Sequence, residues 1–190
     1  MTTIKRETKE TNIVCSLEKN GSGKYNIDTK IGFFDHMLEA FSKHSGIDLD
    51  INCNGDTHID DHHSVEDCGI VIGEALKKEI FPISNIERYG NATVVMDEAS
   101  VTCELDLSNR PYLVYEFDID GKVGTFDVEL VEEFFHAVML NGGITCHLIF
   151  NRGSNKHHII EATFKAFAVA LRRALAVNEK LGIPSTKGVL

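Results

Sequence analysis

His62-His63-Ser64-Val65-Glu66 and, 95 residues further along the chain, His157-His158-Ile159-Ile160-Glu161 carry the same pattern of two histidines and a glutamate. At the same offset, Ala75-Leu76 recurs as Ala170-Leu171. One triplet can recur by chance, but a triplet that recurs together with its neighbours indicates an internal repeat. The 190 residues are therefore predicted to contain a duplicated unit.

The hydrophobic pattern around the two segments predicts a similar order of elements in each half: strands, a helix, a strand and a second helix. In the first half we expect strands at 12–17 and 24–27 joined as a hairpin by Gly21-Ser22-Gly23, a helix at 33–41, a strand at 47–51 and a helix at 64–80. In the second half we expect strands at 92–96, 100–105 and 113–117, a helix at 128–140, a strand at 144–150, a polar loop at 151–156 and a helix at 159–178. The predicted fold class is α/β (α+β two-layer), with strands packed on helices in two similar halves, 1–90 and 91–190, of one compact domain.

Composition excludes several classes of function. The net charge of -10 argues against a nucleic-acid partner, because phosphate backbones are bound through clustered lysine and arginine. No run of about 18 apolar residues and no signal-like N-terminus occurs, so we expect a soluble cytoplasmic protein without a membrane partner. The five cysteines contain no C-x-x-C pair and are expected to be buried reduced thiols rather than disulfides or zinc ligands.

The two His-His-x-x-Glu segments predict a metal site. Adjacent histidines at the start of a helix point in directions about 100° apart, so one ion does not easily bind both. Residues three and four positions further on return to the same face of the helix, which brings a carboxylate beside the imidazoles. If the segments face each other, two ions each receive one imidazole from each half, and Glu66 and Glu161 complete the shells. Imidazole and carboxylate ligands without thiolate favour Mn, Fe or Zn.

Residue spacing alone leaves the roles of three neighbouring features open. His36 lies at an apolar helix start and His147 in an alternating strand, where each is either a structural histidine or a further ligand. Asp60-Asp61 precedes the first histidine pair and is suited to cap the helix or to accept an imidazole N–H.

Several segments, taken together and in this order, resemble the imidazoleglycerol-phosphate dehydratase family of histidine biosynthesis. They are Gly32-Phe33-Phe34-Asp35-His36-Met37-Leu38, His58-Ile59-Asp60-Asp61-His62-His63-Ser64-Val65-Glu66-Asp67, Asn109-Arg110-Pro111-Tyr112, His157-His158-Ile159-Ile160-Glu161-Ala162 and Pro184-Ser185-Thr186-Lys187-Gly188-Val189-Leu190. The resemblance covers nearly the whole chain and rests on the combination rather than on one motif. Ala40 and His136 depart from the family's usual glutamine and arginine.

The resemblance implies a set of site residues. The implied ligands of two manganese ions are His36, His62, His63, Glu66, His147, His157, His158 and Glu161. The implied substrate-binding residues are Glu10, Arg88, Arg110, Ser185 and Lys187. Guanidinium, ammonium and hydroxyl groups are suited to a phosphate monoester. The resemblance also implies a homo-oligomer, a 24-mer, with sites shared between subunits.

The implied activity is a hydro-lyase reaction that converts imidazole glycerol phosphate into imidazole acetol phosphate and water, through a substrate imidazolate bound by two manganese ions. Protons are expected to move through a carboxylate, with Glu10 and Glu161 as the candidates. Two alternatives remain on the residues alone. One is a dinuclear metallohydrolase, which would release inorganic phosphate. The other is a metal-storage or structural metal protein, against which Arg88, Arg110 and Lys187 count.

Overall fold

The computed structural model describes residues 1–188 as ten strands and four helices. Val189 and Leu190 of the C-terminal motif lie outside the described residues. The helices are α1 (Gly32–Ser45), α2 (His62–Ile80), α3 (Leu130–Gly142) and α4 (Lys156–Ala174). The strands are β1 (Thr2–Glu7), β2 (Thr11–Glu18), β3 (Tyr25–Asp28), β4 (Asp48–Gly55), β5 (Tyr89–Met96), β6 (Ala99–Asp106), β7 (Tyr112–Glu116), β8 (Lys122–Val123), β9 (Phe126–Asp127) and β10 (Thr145–Arg152).

The two large sheets have the same topology. Their strand orders are β1-β2-β4-β3 and β5-β6-β10-β7. In each sheet the first three strands pair antiparallel and the last strand pairs parallel with its neighbour. The predicted fold class and its internal duplication are therefore confirmed. The boundary at residues 90 and 91 stays a prediction, and it falls inside β5 (Tyr89–Met96).

The predicted hairpin of β2 and β3 is wrong. Both strands pair with β4, β2 on one side and β3 on the other. The loop between them is held across the end of β4, because the backbone N–H groups of Ser22 and Lys24 both donate to Oδ1 of Asp48, at 2.7 and 2.8 Å. Strand β1 was not predicted, because Ile4 is its one buried residue and the strand lacks a clear alternation of apolar side chains.

The other boundaries shift by a few residues. Helix α4 begins at Lys156 and ends at Ala174 rather than at 178, and the predicted polar loop shortens because β10 continues to Arg152. The side chain of Asn155 caps α4 by accepting from the backbone N–H groups of His157 and His158, which explains the early start of the helix. The short ribbon of β8 and β9 was not predicted.

The helices lie between the two sheets and pack in two pairs, α1 with α4 and α2 with α3. In the first pair, Phe41 stacks on Phe167 with ring centroids 5.6 Å apart. In the second pair, a Cβ added to Gly69 would lie 2.8 Å from the carbonyl oxygen of Phe134, so the absence of a side chain permits the contact. One apolar core spans both halves. Across residues 1–188, none of the helices combines the length and apolar composition needed to cross a membrane.

Candidate metal centre

Both His-His-x-x-Glu segments form the first turns of helices. In α2 the side chain of the N-cap residue Asp61 makes no capping hydrogen bond. The backbone N–H of His62 instead donates to Oδ1 of Asp60, one residue earlier, at 2.9 Å, so Asp60 satisfies one N–H of the first turn. Asn155 has the same role in α4. Capping of this kind satisfies backbone N–H groups that have no partner within the helix and fixes the direction in which the histidines leave the backbone.

The two rings of each pair are well separated and nearly perpendicular. The centroids of His62 and His63 are 6.2 Å apart with the ring planes at 86°, and those of His157 and His158 are 6.2 Å apart at 81°. In each segment the first histidine shares a helix face with the glutamate, because residues four apart lie one turn apart. The Nε2-to-Oε2 distance is 3.7 Å for His62 and Glu66 and 3.0 Å for the equivalent pair in α4.

A candidate ion site forms where α1 meets α4. Nε2 of His36 lies 3.5 Å and Nε2 of His157 lies 3.0 Å from Oε2 of Glu161. The three ligand atoms all lie within 4.8 Å of one another, and within residues 1–188 no other group of three or more histidine, cysteine, aspartate or glutamate residues meets this criterion. Two imidazole nitrogens and one carboxylate oxygen converging on one point form a donor set that fits a first-row divalent ion.

Glu161 is buried, with 6% of its surface exposed, and its two oxygens have different partners. Oε1 lies 2.6 Å from Nζ of Lys165, while Oε2 faces His36 and His157. Burial raises the pKa of Glu161, but the nearby ammonium and imidazoles outweigh it and the net pKa is lowered. Glu161 is therefore a carboxylate that presents one oxygen to the candidate ion site.

The second histidine of each pair is held by a carboxylate outside its own helix. Nδ1 of His63 lies 3.1 Å from both oxygens of Asp56, and this contact raises the pKa of His63. Nδ1 of His158 lies 2.8 Å from Oε2 of Glu98, which raises the pKa of His158 and, with two backbone N–H groups, lowers the pKa of Glu98 to about 2.

Four of the predicted substrate-binding residues line one groove of about 930 Å³: Arg88, Arg110, Ser185 and Lys187. Arg88 is buried and Arg110 is exposed. Glu10 lies elsewhere, in the turn between β1 and β2, with Oε1 3.8 Å from Nε2 of His63. The structure therefore brings together the groups suited to phosphate and separates them from Glu10.

His147 lies apart from the cluster. Its neighbours on β10, Cys146 and Leu148, are buried, whereas His147 is half-buried, so its side chain lies on the face of the sheet that points away from the helices. Of the two departures from the family's pattern, Ala40 is buried and His136 is exposed. The role of His147 as a ligand stays a prediction.

Glu133 is the counterpart of His36 in the second half. The offset of 97 that maps Gly46 onto Gly143 also maps His36 onto Glu133, which is half-buried on α3. Because α3 packs along α2 as α1 packs along α4, Glu133 occupies in one helix pair the position that His36 occupies in the other.

A model of the family described as Imidazoleglycerol-phosphate dehydratase matches residues 29–171. This chain belongs to the imidazoleglycerol-phosphate dehydratase family. The resemblance found from the sequence is confirmed, and the protein is an enzyme of the hydro-lyase class.

Curated relatives and solved structures agree with this membership. Imidazoleglycerol-phosphate dehydratase of Aliarcobacter butzleri (strain RM4018) is 74% identical over 190 residues and that of Sulfurovum sp. (strain NBC37-1) is 67% identical over 190 residues, with 100% of both chains covered in each case. The crystal structure of the dehydratase from Staphylococcus aureus subsp. aureus N315 has a TM-score of 0.82 and 42% identity, and covers 94% of this chain and 100% of its own. The Pyrococcus furiosus enzyme, solved in complex with (S)-C348, has a TM-score of 0.85 and 38% identity, and covers 98% and 100%.

Proposed function

We propose that this dehydratase converts imidazole glycerol phosphate into imidazole acetol phosphate and water in cytoplasmic histidine biosynthesis, with two manganese ions held by its histidine and glutamate ligands. The observation that carries the proposal is the convergence of His36, His157 and Glu161 in a chain of this family. Its ligand chemistry suits manganese among the first-row ions. When bound, two such ions would supply positive charge that stabilises the imidazolate form of the substrate ring.

The second ion would be held by the equivalent residues of the other helix pair. His62 and Glu66 share a face of α2, and Glu133 of α3 takes the position equivalent to His36. His63 and His158 contact carboxylates of their own, Asp56 and Glu98, and would bind the ion of a different cluster. For His147 to act as a ligand, another copy of the chain must lie against the outer face of the second sheet.

Glu10 is the carboxylate best placed to move a proton. Both oxygens of Glu161 are engaged, one by Lys165 and one by the imidazoles, whereas the side chain of Glu10 is 54% exposed and lies beside His63. A general base needs an accessible oxygen within reach of the substrate carbon. We therefore assign proton transfer at the glycerol side chain to Glu10, and ligand binding to Glu161.

The groove at Arg88 would bind the phosphate monoester. Arg110 and Lys187 provide exposed cationic groups there, and Ser185 provides a hydroxyl. Guanidinium groups and an ammonium complement a phosphate dianion through short, charge-assisted hydrogen bonds. The net charge of -10 makes this local concentration of positive groups the feature that selects an anionic substrate.

The candidate ion site and the phosphate groove lie at opposite ends of α4 in one chain. The backbone N–H of Arg88 donates to the carbonyl of Ala174, at the C-terminal end of α4, whereas His157 lies in the first turn of that helix. At 1.5 Å per residue, the two ends are about 25 Å apart, which is much longer than an imidazole ring carrying a three-carbon phosphate ester. The site would therefore combine the metal ligands of one copy with the phosphate groove of another, which supports a homo-oligomer, for which we propose the 24-mer.

The test is turnover of imidazole glycerol phosphate by protein stripped of metal, before and after addition of manganese, with the enolised ketone product followed by absorbance. We expect no product without the ion and full activity with it. Release of inorganic phosphate instead of the ketone would identify a dinuclear hydrolase. Tight manganese binding without either product would leave the ligand assignment intact and refute the dehydration.

A further inference from the structure

The second histidine of each metal-binding segment is anchored in the same way in both halves, although the anchors come from different elements. Asp56, which holds His63, follows β4, whereas Glu98, which holds His158, lies in the turn between β5 and β6. Simple duplication would place the two carboxylates at equivalent positions. The same contact is therefore made from different elements in the two halves, which supports a common role for it.

A carboxylate can only accept a hydrogen bond, so the Nδ1 atom that faces it must carry the proton. With Nδ1 protonated, the neutral ring of His158 has its lone pair on Nε2, directed away from Glu98. The same reasoning applies to His63 and Asp56. Metal ions bind the unprotonated ring nitrogen, and an anchored partner nitrogen also fixes the plane of the ring.

We propose that Asp56 and Glu98 are positioning residues that fix the Nε2-ligating tautomer and the ring orientation of His63 and His158 for manganese. The inference rests on the proposed function, because it assigns these histidines to metal binding. Neither carboxylate has to touch the ion or the substrate, since each acts through the histidine that it holds. Removing such a contact typically lowers metal affinity about 10- to 100-fold.

Glu98 also has a structural role that must be separated from positioning. Its Oε1 accepts from the backbone N–H groups of Ser154 and Asn155, at 3.1 and 2.7 Å, and thereby holds the loop before α4. Its Oε2 contacts His158. The two oxygens thus have different partners, and a substitution can change one contact while preserving the other.

The variants Glu98→Gln and Glu98→Ala separate the positioning role of Glu98 from its structural role. In the glutamine variant, two backbone donors keep the new amide oxygen beside Ser154 and Asn155, so the NH2 group must face His158 and donate to Nδ1. That arrangement forces the proton onto Nε2 and blocks ligation. Alanine loses the loop contacts but leaves the ring free to adopt either tautomer. If Glu98 positions the His158 ring, manganese binding should be weaker in Glu98→Gln than in Glu98→Ala. If Glu98 has only a structural role, binding should be weaker in Glu98→Ala than in Glu98→Gln.

The experiment measures the Mn²⁺ dissociation constant of the assembled protein by electron paramagnetic resonance of the free ion, with thermal unfolding of the metal-free forms alongside. We expect Glu98→Gln to raise the dissociation constant of the affected sites about 10- to 100-fold, at least as much as Glu98→Ala, while unfolding at a higher temperature than Glu98→Ala. Glu116→Gln, which removes one exposed carboxylate on β7, controls for the change in charge.

Asp56→Asn extends the test to the first half. Both carboxylate oxygens of Asp56 face the His63 ring rather than dividing between a ring and a loop as those of Glu98 do, so an asparagine can turn its carbonyl toward Nδ1. We therefore expect a smaller loss of affinity than for Glu98→Gln. Unchanged binding in the Glu98→Gln variant, or weaker binding in Glu98→Ala than in Glu98→Gln, would overturn the proposal. Failure of the wild-type protein to bind manganese would instead refute the proposed function.

Discussion

Arg88 donates two hydrogen bonds to Asp106, from Nε to Oδ1 at 2.7 Å and from a terminal nitrogen to Oδ2 at 3.0 Å. A third N–H of Arg88 donates to the carbonyl of Pro184 at 2.7 Å. The guanidinium of Arg88 therefore links Asp106, at the end of β6, to the segment that carries Ser185 and Lys187. This arrangement orients the predicted phosphate-binding groups before any substrate arrives.

The substitution Arg88→Lys should weaken binding of the phosphorylated substrate. A lysine keeps the charge but cannot make the two-point contact with Asp106 and reach Pro184 at once. We expect the KM for imidazole glycerol phosphate to rise about tenfold or more, equivalent to about 1.4 kcal/mol, with a smaller change in kcat. Arg172→Lys is the control, because Arg172 donates to the carbonyl of His44 away from the groove. An unchanged KM in the first variant would remove Arg88 from the phosphate site.

Glu10→Gln should separate proton transfer from metal binding. The glutamine keeps the size and polarity of the side chain but cannot accept the substrate proton. We expect kcat to fall about 100-fold or more while the manganese content per chain, measured by atomic absorption, stays at the wild-type level. Glu7→Gln, at an exposed position on β1, should retain activity. Full activity of the Glu10 variant would exclude Glu10 as the essential base.

The packing of β5 on α4 makes Gly90 sensitive to substitution. A Cβ at this position would lie 2.0 Å from the carbonyl oxygen of Ala170 and 2.9 Å from the backbone nitrogen of Ala174. Because backbone atoms cannot move aside as a flexible side chain can, Gly90→Ala should lower the free energy of unfolding by about 1–3 kcal/mol or more. Gly32→Ala provides the control, since within residues 1–188 a Cβ there would meet nothing within 4 Å beyond its chain neighbours and the adjacent backbone of its own helix. Equal melting temperatures of the two variants would contradict the close approach of strand and helix.

The predictions from sequence are best where the two halves have the same residues. The apolar periodicity of 64–80 and 159–178 predicted both helices that carry the histidine pairs. The four-residue spacing also predicted that a glutamate lies beside the first histidine of each pair. No prediction was made for Glu133, where the second half keeps the position of His36 and has a different residue. The hairpin of β2 and β3 failed for another reason: the strand that separates them, β4, follows much later in the chain, and only the long-range pairing shows it.

The carboxylates that contact His63 and His158 could not be predicted from the sequence, for a related reason. Asp60 and Asp61 adjoin the histidine pair, yet the imidazole of His63 contacts Asp56. Glu98 lies 60 residues before its partner His158. Contacts of this kind depend on the path of the loops at the ends of the strands, which neither periodicity nor motif spacing specifies.

The free energy of unfolding should fall at alkaline pH because the protein contains buried thiols. Burial raises the pKa of Cys15 to about 12 from its ordinary value of 9.0, so the folded thiol stays protonated where the unfolded thiol ionises. The stabilising contribution is therefore complete below pH 9.0 and is lost as the pH rises toward the folded pKa. Burial raises the pKa of Cys68 and Cys103 in the same direction. Urea unfolding at about pH 7.5 and about pH 10 should show a loss that is smaller in Cys15→Ala, and identical losses in both proteins would contradict the assignment to Cys15.

The composition of the two ion sites can be tested by counting manganese in single variants. Removing His36 leaves His157 and Glu161 without their third partner, so His36→Ala should lose one of the two ions per chain. Glu133→Gln should lose the other if Glu133 takes the equivalent position on α3, while His136→Ala, one turn away on the exposed face of that helix, should keep both ions.

His147→Ala decides whether another copy of the chain completes a site at the second sheet. His147 lies on the outer face of that sheet, opposite Glu104 and Val114 on the neighbouring strands, and cannot reach the cluster at α1 and α4 through the core. Loss of manganese in His147→Ala, with an unchanged subunit count by analytical ultracentrifugation, would show that a neighbouring copy brings its ligands to this face. Retention of both ions would remove His147 from the ligand set.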